Sequence, residues 1–310
     1  MSRGARPPRC AWRYATAQLL RHTLRAAAVA AALLAPATGG ARDRHVLWTV
    51  DGARNTIYLL GSIHVLRPED GPLPAAADAA YADAERLVME IDMDDALAEP
   101  AALIEAMQRT ALLPDGQSLR DVLGADYAAV AERAREAGLD LALLDRFAPW
   151  FVATTLLQVE LARRGFSPEH GIEQTLSRRA VADGKPILGL ETAEQQFAVL
   201  GGLAMPQQKR FLMMTLEETA QLDGEIDKLL RAWRDGDTEA LAEALSTEFD
   251  EFPELYGPLT ENRNRAWITR LVDLLDDEDD YLVVVGALHL VGRNSVVDLL
   301  EQRGYEVEQQ

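Results

Sequence analysis

The sequence predicts an α/β protein in which a small central mixed sheet carries a large helical insertion. Three observations support this fold class: short apolar segments near both ends of the chain, helical periodicity between them, and an internal repeat. The repeat sets IYLLGSIHVL at 57–66 against LVVVGALHLV at 282–291. In both copies an apolar strand enters a Gly-x-x-His motif and leads to a helix and a strand. We therefore expect the sheet to be built from these two strand-GxxH-helix-strand units.

The first 41 residues are typical of a secretory signal peptide. Residues 1–25 carry six arginines and no acidic residue, and the apolar run from Ala26 to Leu34 follows them. That run is too short to span a bilayer, and the small residues after it suit a cleavage site. We expect residues 1–41 to be removed and the mature protein to be periplasmic or secreted, without stable membrane insertion. An uncleaved amphipathic arm or membrane anchor is the alternative.

Composition and charge restrict the function of the remaining chain, residues 42–310, which we expect to form a single domain. The full chain of 310 residues has 50 acidic and 31 basic residues and a net charge of -19. So acidic a protein repels a phosphate backbone, and no nucleic-acid partner is expected. The single cysteine, Cys10, leaves with the signal peptide, which excludes disulfides, a cysteine nucleophile and thiolate metal ligands from the mature chain.

The first repeat unit begins with a predicted hairpin. Apolar segments at 46–50 and 56–60 flank an Asp-Gly turn, which is the typical hairpin pattern. Pro74 then begins an alanine-rich helix that runs to about Ala84. The segment RLVMEI at 86–91 is almost wholly apolar, as expected of a short strand buried on both faces. The unit is therefore predicted as strand, helix, strand.

The insertion, from about 95 to 275, is predicted to be mostly helical. Ser118 is a candidate N-cap, and glycines at 138, 165 and 184 are candidate helix ends. A short strand at 185–190, KPILGL, interrupts the helices, and the last helix is expected from about Leu259 to Leu275 after a loop that contains Pro258.

The second repeat unit closes the chain. A strand at 281–285, a turn at 286–289, a helix at 295–302 and a strand at 305–308 follow one another. Two such units can pair about a pseudo-twofold axis, which would bring their equivalent residues together.

Polar residues follow four of the predicted strands: His64, Glu90, Glu191 and His289. In open α/β sheets ligands bind outside the carboxyl ends of the strands, so we expect these side chains to converge. Two neutral imidazoles and one carboxylate are a common ligand set for a divalent ion such as Zn, Mn, Co or Fe, with a position left for water. We therefore predict a metal site at His64, Glu90 and His289. Asp92 is a weaker candidate for the carboxylate ligand. Glu90 could instead belong to a buried charge pair and bind no metal.

Three further residues are candidates for catalytic roles. Glu191 could be a general base, a partner of one histidine, or an N-cap for the helix at Thr192. The planar guanidinium of Arg263 could bind a substrate carboxylate or an oxyanion, although a structural salt bridge is an equal alternative. For Asn264, which lies beside Arg263, a role in substrate binding and a purely structural role are likewise both open.

These motifs resemble the TraB/PrgY/GumN family, which includes the TIKI metalloproteases and shares a distant fold with erythromycin esterases and the ChaN haem-binding lipoproteins. The matching segments extend in order over nearly the whole mature chain: LW at 47–48, YLLGSIHVL at 58–66, LVMEID at 87–92, GLET at 189–192 with Gln196, RN at 263–264 with Trp267, VVVGALHLVG at 283–292 and GYEV at 304–307. One departure is Ile172-Glu173 after Gly171, where the family more often has Val-Asp.

The resemblance implies a metal-dependent hydrolase whose paired Gly-x-x-His motifs and glutamate fall on His64, His289 and Glu90. The first hypothesis is therefore an exported, peptidase-like hydrolase that acts on a peptide or small-molecule substrate. This hypothesis gives catalytic roles around the metal ion to Glu90, Glu191, Arg263 and Asn264. The alternatives are a non-catalytic protein that binds haem, metal or a peptide, and an esterase-like hydrolase that needs no metal.

Overall fold

The apolar segments near the two ends of the chain form a single sheet. The computed structural model describes residues 44–219, 222–250 and 253–310, and within this part of the chain six strands lie in the order β4-β3-β5-β2-β1-β6. Their bounds are β1 Leu47–Asp51, β2 Thr56–Ser62, β3 Arg86–Met89, β4 Ile187–Gly189, β5 Tyr281–Gly286 and β6 Val307–Gln309. Each strand coincides with a segment that the sequence predicts as a strand.

The strand directions make the sheet mixed, as predicted. β2 and β3 pair with β5 in parallel, and β4 pairs in parallel with β3. β1 runs antiparallel to both β2 and β6, and β1 and β2 form the predicted hairpin. All six residues of β5 are buried. The YLVVVG sequence of this central strand is therefore a continuous apolar run, since both of its faces are covered.

The two repeat units are neighbours in space. β2 and β5 lie side by side, with pairs that run from Ile57 with Tyr281 to Ser62 with Gly286. The chain then crosses from β2 over β5 to β3, and from β5 over β2 and β1 to β6. The two crossovers run in opposite directions across the sheet, as expected for two units related by a twofold axis. β1, which lies between β2 and β6, departs from this symmetry. Both Gly-x-x-His motifs consequently emerge at the same end of the sheet.

Most of the remaining described chain is helical, which confirms the predicted fold class. The α-helices are α1 Ala75–Asp83, α2 Met93–Ala98, α3 Pro100–Ala111, α4 Leu119–Leu123, α5 Tyr127–Glu136, α6 Pro149–Arg163, α7 Ile172–Asp183, α8 Ala193–Gly201, α9 Met205–Thr219, α10 Leu222–Arg234, α11 Thr238–Asp250, α12 Pro253–Tyr256, α13 Asn262–Leu275 and α14 Val296–Glu301. Short 3-10 turns occupy Pro68–Asp70, Gly124–Asp126, Leu141–Leu144, Pro168–His170 and Ala287–His289.

Helix ends follow the local sequence signals. The side chain of Ser118 accepts the N–H of Asp121 and caps α4, as predicted. Gly184, with φ 68°, takes the left-handed conformation that ends α7, because glycine adopts it without the strain of a Cβ. The chain can then turn directly into β4.

The helix expected to begin at about Leu259 begins earlier, and the predicted loop before it is wrong. α12 starts at Pro253, and a π-helical turn over Gly257–Glu261 joins it to α13. Pro258 lacks an N–H and clashes with an ordinary α-helical turn, so its position favours the wider turn rather than a break.

The core has two main parts. The larger packs the sheet between helices and includes Trp267 and the residues of β5. The second lies within the helical insertion, around Trp150, Leu156 and Leu212 of α6 and α9. The insertion thus has apolar packing of its own, while the sheet core fixes the strand ends that carry the candidate site.

The expected signal peptide lies outside the described residues and stays a prediction, as does export. Among the described residues, none of the helices combines the length and the apolar character that a membrane span requires. The described residues form one compact unit.

Candidate active site

The candidate site lies at the carboxyl end of the parallel strands β4, β3, β5 and β2. Taken in that order, these strands lead into Glu191, Glu90, His289 and His64. His289 stands in the 3-10 turn after β5, and Glu90 follows β3 directly. The sheet therefore brings together four residues that are far apart in the sequence.

Glu90 is the centre of the site. One of its oxygens, Oε1, accepts the backbone N–H of Gly286 at 2.8 Å. The other, Oε2, accepts from Arg263 Nη2 at 2.5 Å and from Gln196 Nε2 at 3.0 Å. Burial opposes ionisation of Glu90, but the neighbouring His289, His64 and Arg263 lower its pKa to about 2. The carboxylate is therefore ionised at neutral pH.

Arg263, near the start of α13, links the other polar groups. Its Nε donates to both oxygens of Glu191, at 3.0 and 3.2 Å, and its Nη2 donates to Glu191 as well as Glu90. Its Nη1 contacts His289 Nε2 at 3.0 Å and donates to the carbonyl of Leu259 at 3.2 Å. Burial works against the charge, yet the two glutamates raise the pKa of Arg263. All sides of the guanidinium are thus engaged within the protein.

His289 is buried and neutral. Its Nδ1 lies 2.6 Å from Asn264 Oδ1, while Asn264 Nδ2 donates to the carbonyl of Asn294. Because the amide oxygen can only accept, Nδ1 carries the proton and Nε2 presents its lone pair to Arg263. The ring also packs against Trp267, with centroids 4.5 Å apart. Burial lowers the pKa of His289 to about 4.

His64 has a different environment. Its side chain is 64% exposed, and its Nδ1 lies 2.6 Å from Glu173 Oε1. Glu173 belongs to the first turn of α7 and also accepts from the hydroxyl of Ser62. The Glu173 carboxylate raises the pKa of His64 to about 9, although burial of part of the ring opposes this. Glu173 therefore orients the ring and leaves Nε2 directed away from it.

The space above Gly286 separates His64 from Glu90. A Cβ at this glycine would lie 3.2 Å from His64 Nε2 and 3.3 Å from Glu90 Oε1. That point is one covalent bond from the Cα and is not itself a position for water, but because Gly286 has no side chain, both polar atoms stay open to a water molecule that lies further from the backbone. A neighbouring cavity of about 170 Å³, lined by His64, Glu90 and Ser177 among others, gives access to this position.

Comparison with known proteins agrees with this architecture. Residues 46–309, which include all four strand-end residues, match the TraB/PrgY/gumN family. The chain belongs to the TraB/PrgY/gumN family. Among its relatives, a protein of Escherichia coli (strain K12) named Uncharacterized protein YbaP is 27% identical over 267 residues, which cover 84% of this chain and 94% of that protein.

A second relative of this family carries an activity in its name. Metalloprotease TIKI2 of Xenopus tropicalis is 25% identical over 318 residues, which cover 84% of this chain and 59% of that protein. An uncharacterized protein of Treponema pallidum (strain Nichols) is 23% identical over 276 residues, 83% of this chain and 80% of its own. No solved structure is significantly similar to the chain.

The structure places the residues predicted from the sequence in one cluster, with some changes of contact. Glu191 binds Arg263 and Gln196, and the N-cap of α8 is Thr192 itself. The N-cap alternative for Glu191 is therefore wrong. Arg263 forms the buried ion pairs that were one of its two alternatives. Asp92 lines a neighbouring groove rather than the cavity beside His64.

Two residues of the site were not predicted to belong to it. Gln196 donates to both Glu90 and Glu191, and Glu173 holds His64. One sequence signal for Glu173 exists in Gly171: a Cβ there would lie 2.1 Å from the carbonyl oxygen of His64, so α7 can approach the Gly-x-x-His turn only through a glycine.

The donor atoms of the site fit a metal ion only in part. His64, His289 and Glu90 have suitable donor atoms, and His289 Nε2 lies 3.9 Å from Glu90 Oε1. However, Arg263 already faces Nε2 of His289 and Oε2 of Glu90. A divalent ion between those atoms would be repelled by the guanidinium. Within the described residues no group of three or more His, Cys, Asp or Glu is arranged to hold a metal. As placed, the residues do not fit the predicted ion.

Proposed function

We propose that this member of the TraB/PrgY/gumN family is a hydrolase that activates water between His64 and Glu90 for attack on the carbonyl carbon of a peptide or an ester. The observation that carries the proposal is that His64 Nε2 and Glu90 Oε1 both approach Gly286, which has no side chain to cover them, and that both residues line one cavity. A water molecule there would be oriented by two fixed partners, and such positioning supplies a large part of the acceleration in enzymes.

The proton of this water passes to His64 rather than to Glu90. Glu90, whose pKa is about 2, binds a proton too weakly to serve as a strong base at neutral pH. Because the pKa of His64 is about 9, the base is the neutral imidazole that forms as the pH rises toward 9, and hydrolysis should increase with pH over that range. Glu173 stabilises the imidazolium that forms when this base accepts the proton. The same imidazolium can afterwards donate the proton to the leaving group. Glu173 and His64 therefore act as a carboxylate–imidazole pair.

Arg263 and His289 act by positioning and by charge. Every nitrogen of the Arg263 guanidinium already donates to Glu90, Glu191, His289 or the carbonyl of Leu259. Direct donation to the substrate is thus not its role. Its buried positive charge keeps Glu90 ionised and in place, and it stabilises negative charge that develops on the attacked carbonyl. His289 and Asn264 hold the other side of the guanidinium.

A second candidate is a metal-dependent hydrolase. It is supported by the donor chemistry of the two histidines and Glu90, and by the similarity to Metalloprotease TIKI2. This candidate requires Arg263 to withdraw from His289 and Glu90, so that their lone pairs become available.

Hydrolysis of short peptides and of aryl esters by the purified protein would test the proposal. We expect hydrolysis that survives dialysis against EDTA and that falls about 1,000-fold in the His64→Gln variant, because a general base contributes ~10²–10⁴-fold. His170→Gln is a matched control, since His170 is an exposed histidine outside the site.

The same experiment separates the candidates. Activity that disappears with EDTA and returns with Mn²⁺ or Zn²⁺ would support the metal-dependent hydrolase instead. Absence of hydrolysis under both conditions would contradict a catalytic role altogether and favour a binding protein.

A further inference from the structure

Gln196 lies in the first turn of α8, directly after two residues that fix the start of this helix. The side chain of Thr192 accepts the N–H of Gln195, and the side chain of Gln195 accepts the N–H of Thr192. Gln195 is thus engaged in the helix cap. The next side chain along the helix, that of Gln196, reaches the strand ends instead, where its Nε2 lies 3.0 Å from Glu90 Oε2 and 3.1 Å from Glu191 Oε1.

The two glutamates determine which way the amide of Gln196 faces. The NH₂ group of a glutamine has two donors, whereas its oxygen can only accept. Glu90 is ionised, and Glu191 is paired with the guanidinium of Arg263. If the amide were reversed, its oxygen would lie against two carboxylate oxygens without a proton between them. Both N–H groups of Gln196 therefore face the glutamates, and Oε1 faces away from them.

Oε1 of Gln196 is an acceptor that the protein itself does not use. Within the described part of the chain no group donates to it, and it is not one of the buried polar atoms that lack a partner, so solvent reaches it. Gln196 lines the cavity beside His64 together with Glu90. This oxygen is therefore available to a molecule that binds in the cavity.

The apolar part of the cavity makes this acceptor selective. Met89, Ile91 and Met93 contribute to the lining of its volume of about 170 Å³. A ligand that packs against these side chains displaces water from Oε1 of Gln196. Without a donor of its own, such a ligand leaves the oxygen unbonded, and a polar group left unbonded on desolvation weakens binding about tenfold or more. The cavity should therefore favour a ligand that combines an apolar group with an N–H.

The free oxygen lies close to the proposed reaction. Gln196 binds Oε2 of Glu90, while Oε1 of the same carboxylate is the atom proposed to hold the water molecule. The acceptor and the attacked carbonyl thus lie near opposite oxygens of one carboxylate and can contact neighbouring groups of a single residue. In a peptide the N–H of a residue is about 2.5 Å from the carbonyl carbon of that residue, so it is the donor best placed for Gln196.

We propose that Gln196 recognises the substrate through Oε1, which accepts the backbone N–H of the residue whose carbonyl is attacked. The site thereby selects an acylated amino-acid residue, as within a peptide chain, over substrates that lack this donor. The apolar side chain of that residue packs against Met89, Ile91 and Met93. This inference rests on the proposed function for the position of the reaction, whereas recognition of the N–H can also be measured without turnover.

Two substrates that differ only at this donor test the proposal. One is N-acetyl-leucine p-nitroanilide, and the other is its analogue in which an oxygen atom replaces the acetylated N–H. Release of nitroaniline reports cleavage of the same anilide bond in both. We expect the wild-type kcat/KM to be about tenfold higher for the N–H compound, because the analogue sets an oxygen against Oε1 of Gln196. Gln196→Met has a side chain of similar length without an acceptor oxygen and should bring the ratio close to one.

A purely structural role for Gln196 predicts a different result. If Gln196 only holds Glu90 and Glu191, Gln196→Met lowers kcat/KM for both substrates by the same factor and the preference persists. Gln174→Met is the matched control, because Gln174 is an exposed glutamine that lines the same cavity, and it should retain the preference. Equal kcat/KM for the two substrates in the wild type, a persistent preference in Gln196→Met, or its loss in Gln174→Met would overturn the proposal.

Binding without turnover separates this claim from the proposed hydrolase. NMR titration with N-acetyl-leucinamide and with its oxygen analogue gives both dissociation constants, and their ratio decides the question even where Gln196→Met cleaves too slowly to be measured. A preference for the N–H compound that is lost in Gln196→Met, in a protein that cleaves neither anilide, would support the role of Gln196 and contradict the hydrolase. Cleavage of both anilides at equal rates would support the hydrolase and overturn the role of Gln196.

Discussion

The two Gly-x-x-His motifs have the same glycine and histidine in similar apolar surroundings in the sequence, but the two histidines differ in environment. His64 is 64% exposed and faces a carboxylate, Glu173, whereas His289 is 6% exposed and faces an amide, Asn264. The first imidazole consequently has a raised pKa and the second a lowered one. The duplicated motif thus sets where each ring stands, while the partner on another element sets its protonation state. We infer that the first copy moves protons and the second holds the site together.

The two glycines of the motifs differ in the same way. A Cβ at Gly61 would lie 2.4 Å from Cγ1 of Val46, inside the core, while a Cβ at Gly286 would point between His64 and Glu90. One glycine therefore permits packing of the sheet, and the other leaves space for a reacting molecule.

The largest effect on stability is expected at His289. Replacement by alanine removes hydrogen bonds to Asn264 and Arg263 and leaves a cavity beside Trp267. We expect the free energy of unfolding in urea to fall by about 3 kcal/mol. His64→Ala should change it by less than about 1 kcal/mol when measured above pH 9, where the imidazole is neutral and its ion pair with Glu173 no longer contributes. Equal losses of stability in the two variants would contradict the difference in structural role between the two histidines.

Alanine at the two glycines should give opposite phenotypes. Gly286→Ala places a methyl group 3.2 Å from His64 Nε2 and 3.3 Å from Glu90 Oε1 and so crowds the two atoms that are proposed to hold the water molecule. We expect kcat/KM to fall about 100-fold while unfolding is little changed. Gly61→Ala should instead lower the free energy of unfolding by about 2 kcal/mol through overpacking against Val46. Full activity in a folded Gly286→Ala protein would exclude the water position.

A smaller effect is expected at Glu173. Glu173→Gln keeps a hydrogen-bonding group at Nδ1 of His64 but removes the charge. We expect kcat/KM on the alkaline plateau, above pH 9, to fall about tenfold, because the imidazolium formed in the reaction loses its ion pair. The limb of the pH–rate profile that reports His64 should also move toward lower pH. An unchanged profile would show that Glu173 only fixes the ring.

The smallest perturbation is a change of pH, and the two histidines should respond with opposite sign. The pKa of His64 is raised to about 9, so its contribution to stability is full below pH 6.5 and is lost as pH rises toward 9. The pKa of His289 is lowered to about 4, so its contribution is full above pH 6.5 and is lost as pH falls toward 4. NMR titration of the two imidazoles, assigned with the His64→Ala and His289→Ala variants, would reveal a shared pKa if the environments were alike.

The fold could be predicted because its signals are local. Short apolar runs such as VVVG predict strands, and the repeat with its Gly-x-x-His turns predicts that two strand ends converge. The helix that begins at Pro253 was missed, because Pro258 is normally a sign of a helix boundary and the π-helical turn that accommodates it has no clear sequence pattern.

The site was predicted only in part because its contacts join distant elements. The strand ends supplied His64, Glu90, Glu191 and His289, but the partner of His64 lies on α7, 109 residues further along the chain. The sequence also predicts a metal from the ligand types alone. It does not reveal that Arg263, on α13, faces two of the same atoms, since that depends on how the helix crosses the strand ends.

The central claim is that a water molecule lies between the exposed side chain of His64 and the buried carboxylate of Glu90. A crystal structure of the protein at high resolution, with anomalous data recorded for Mn and Zn, tests it directly. The account predicts an ordered water within about 3 Å of both His64 Nε2 and Glu90 Oε1, with Arg263 still bound to Glu90 and His289. An anomalous peak ligated by His64, Glu90 and His289, with Arg263 turned away, would contradict it.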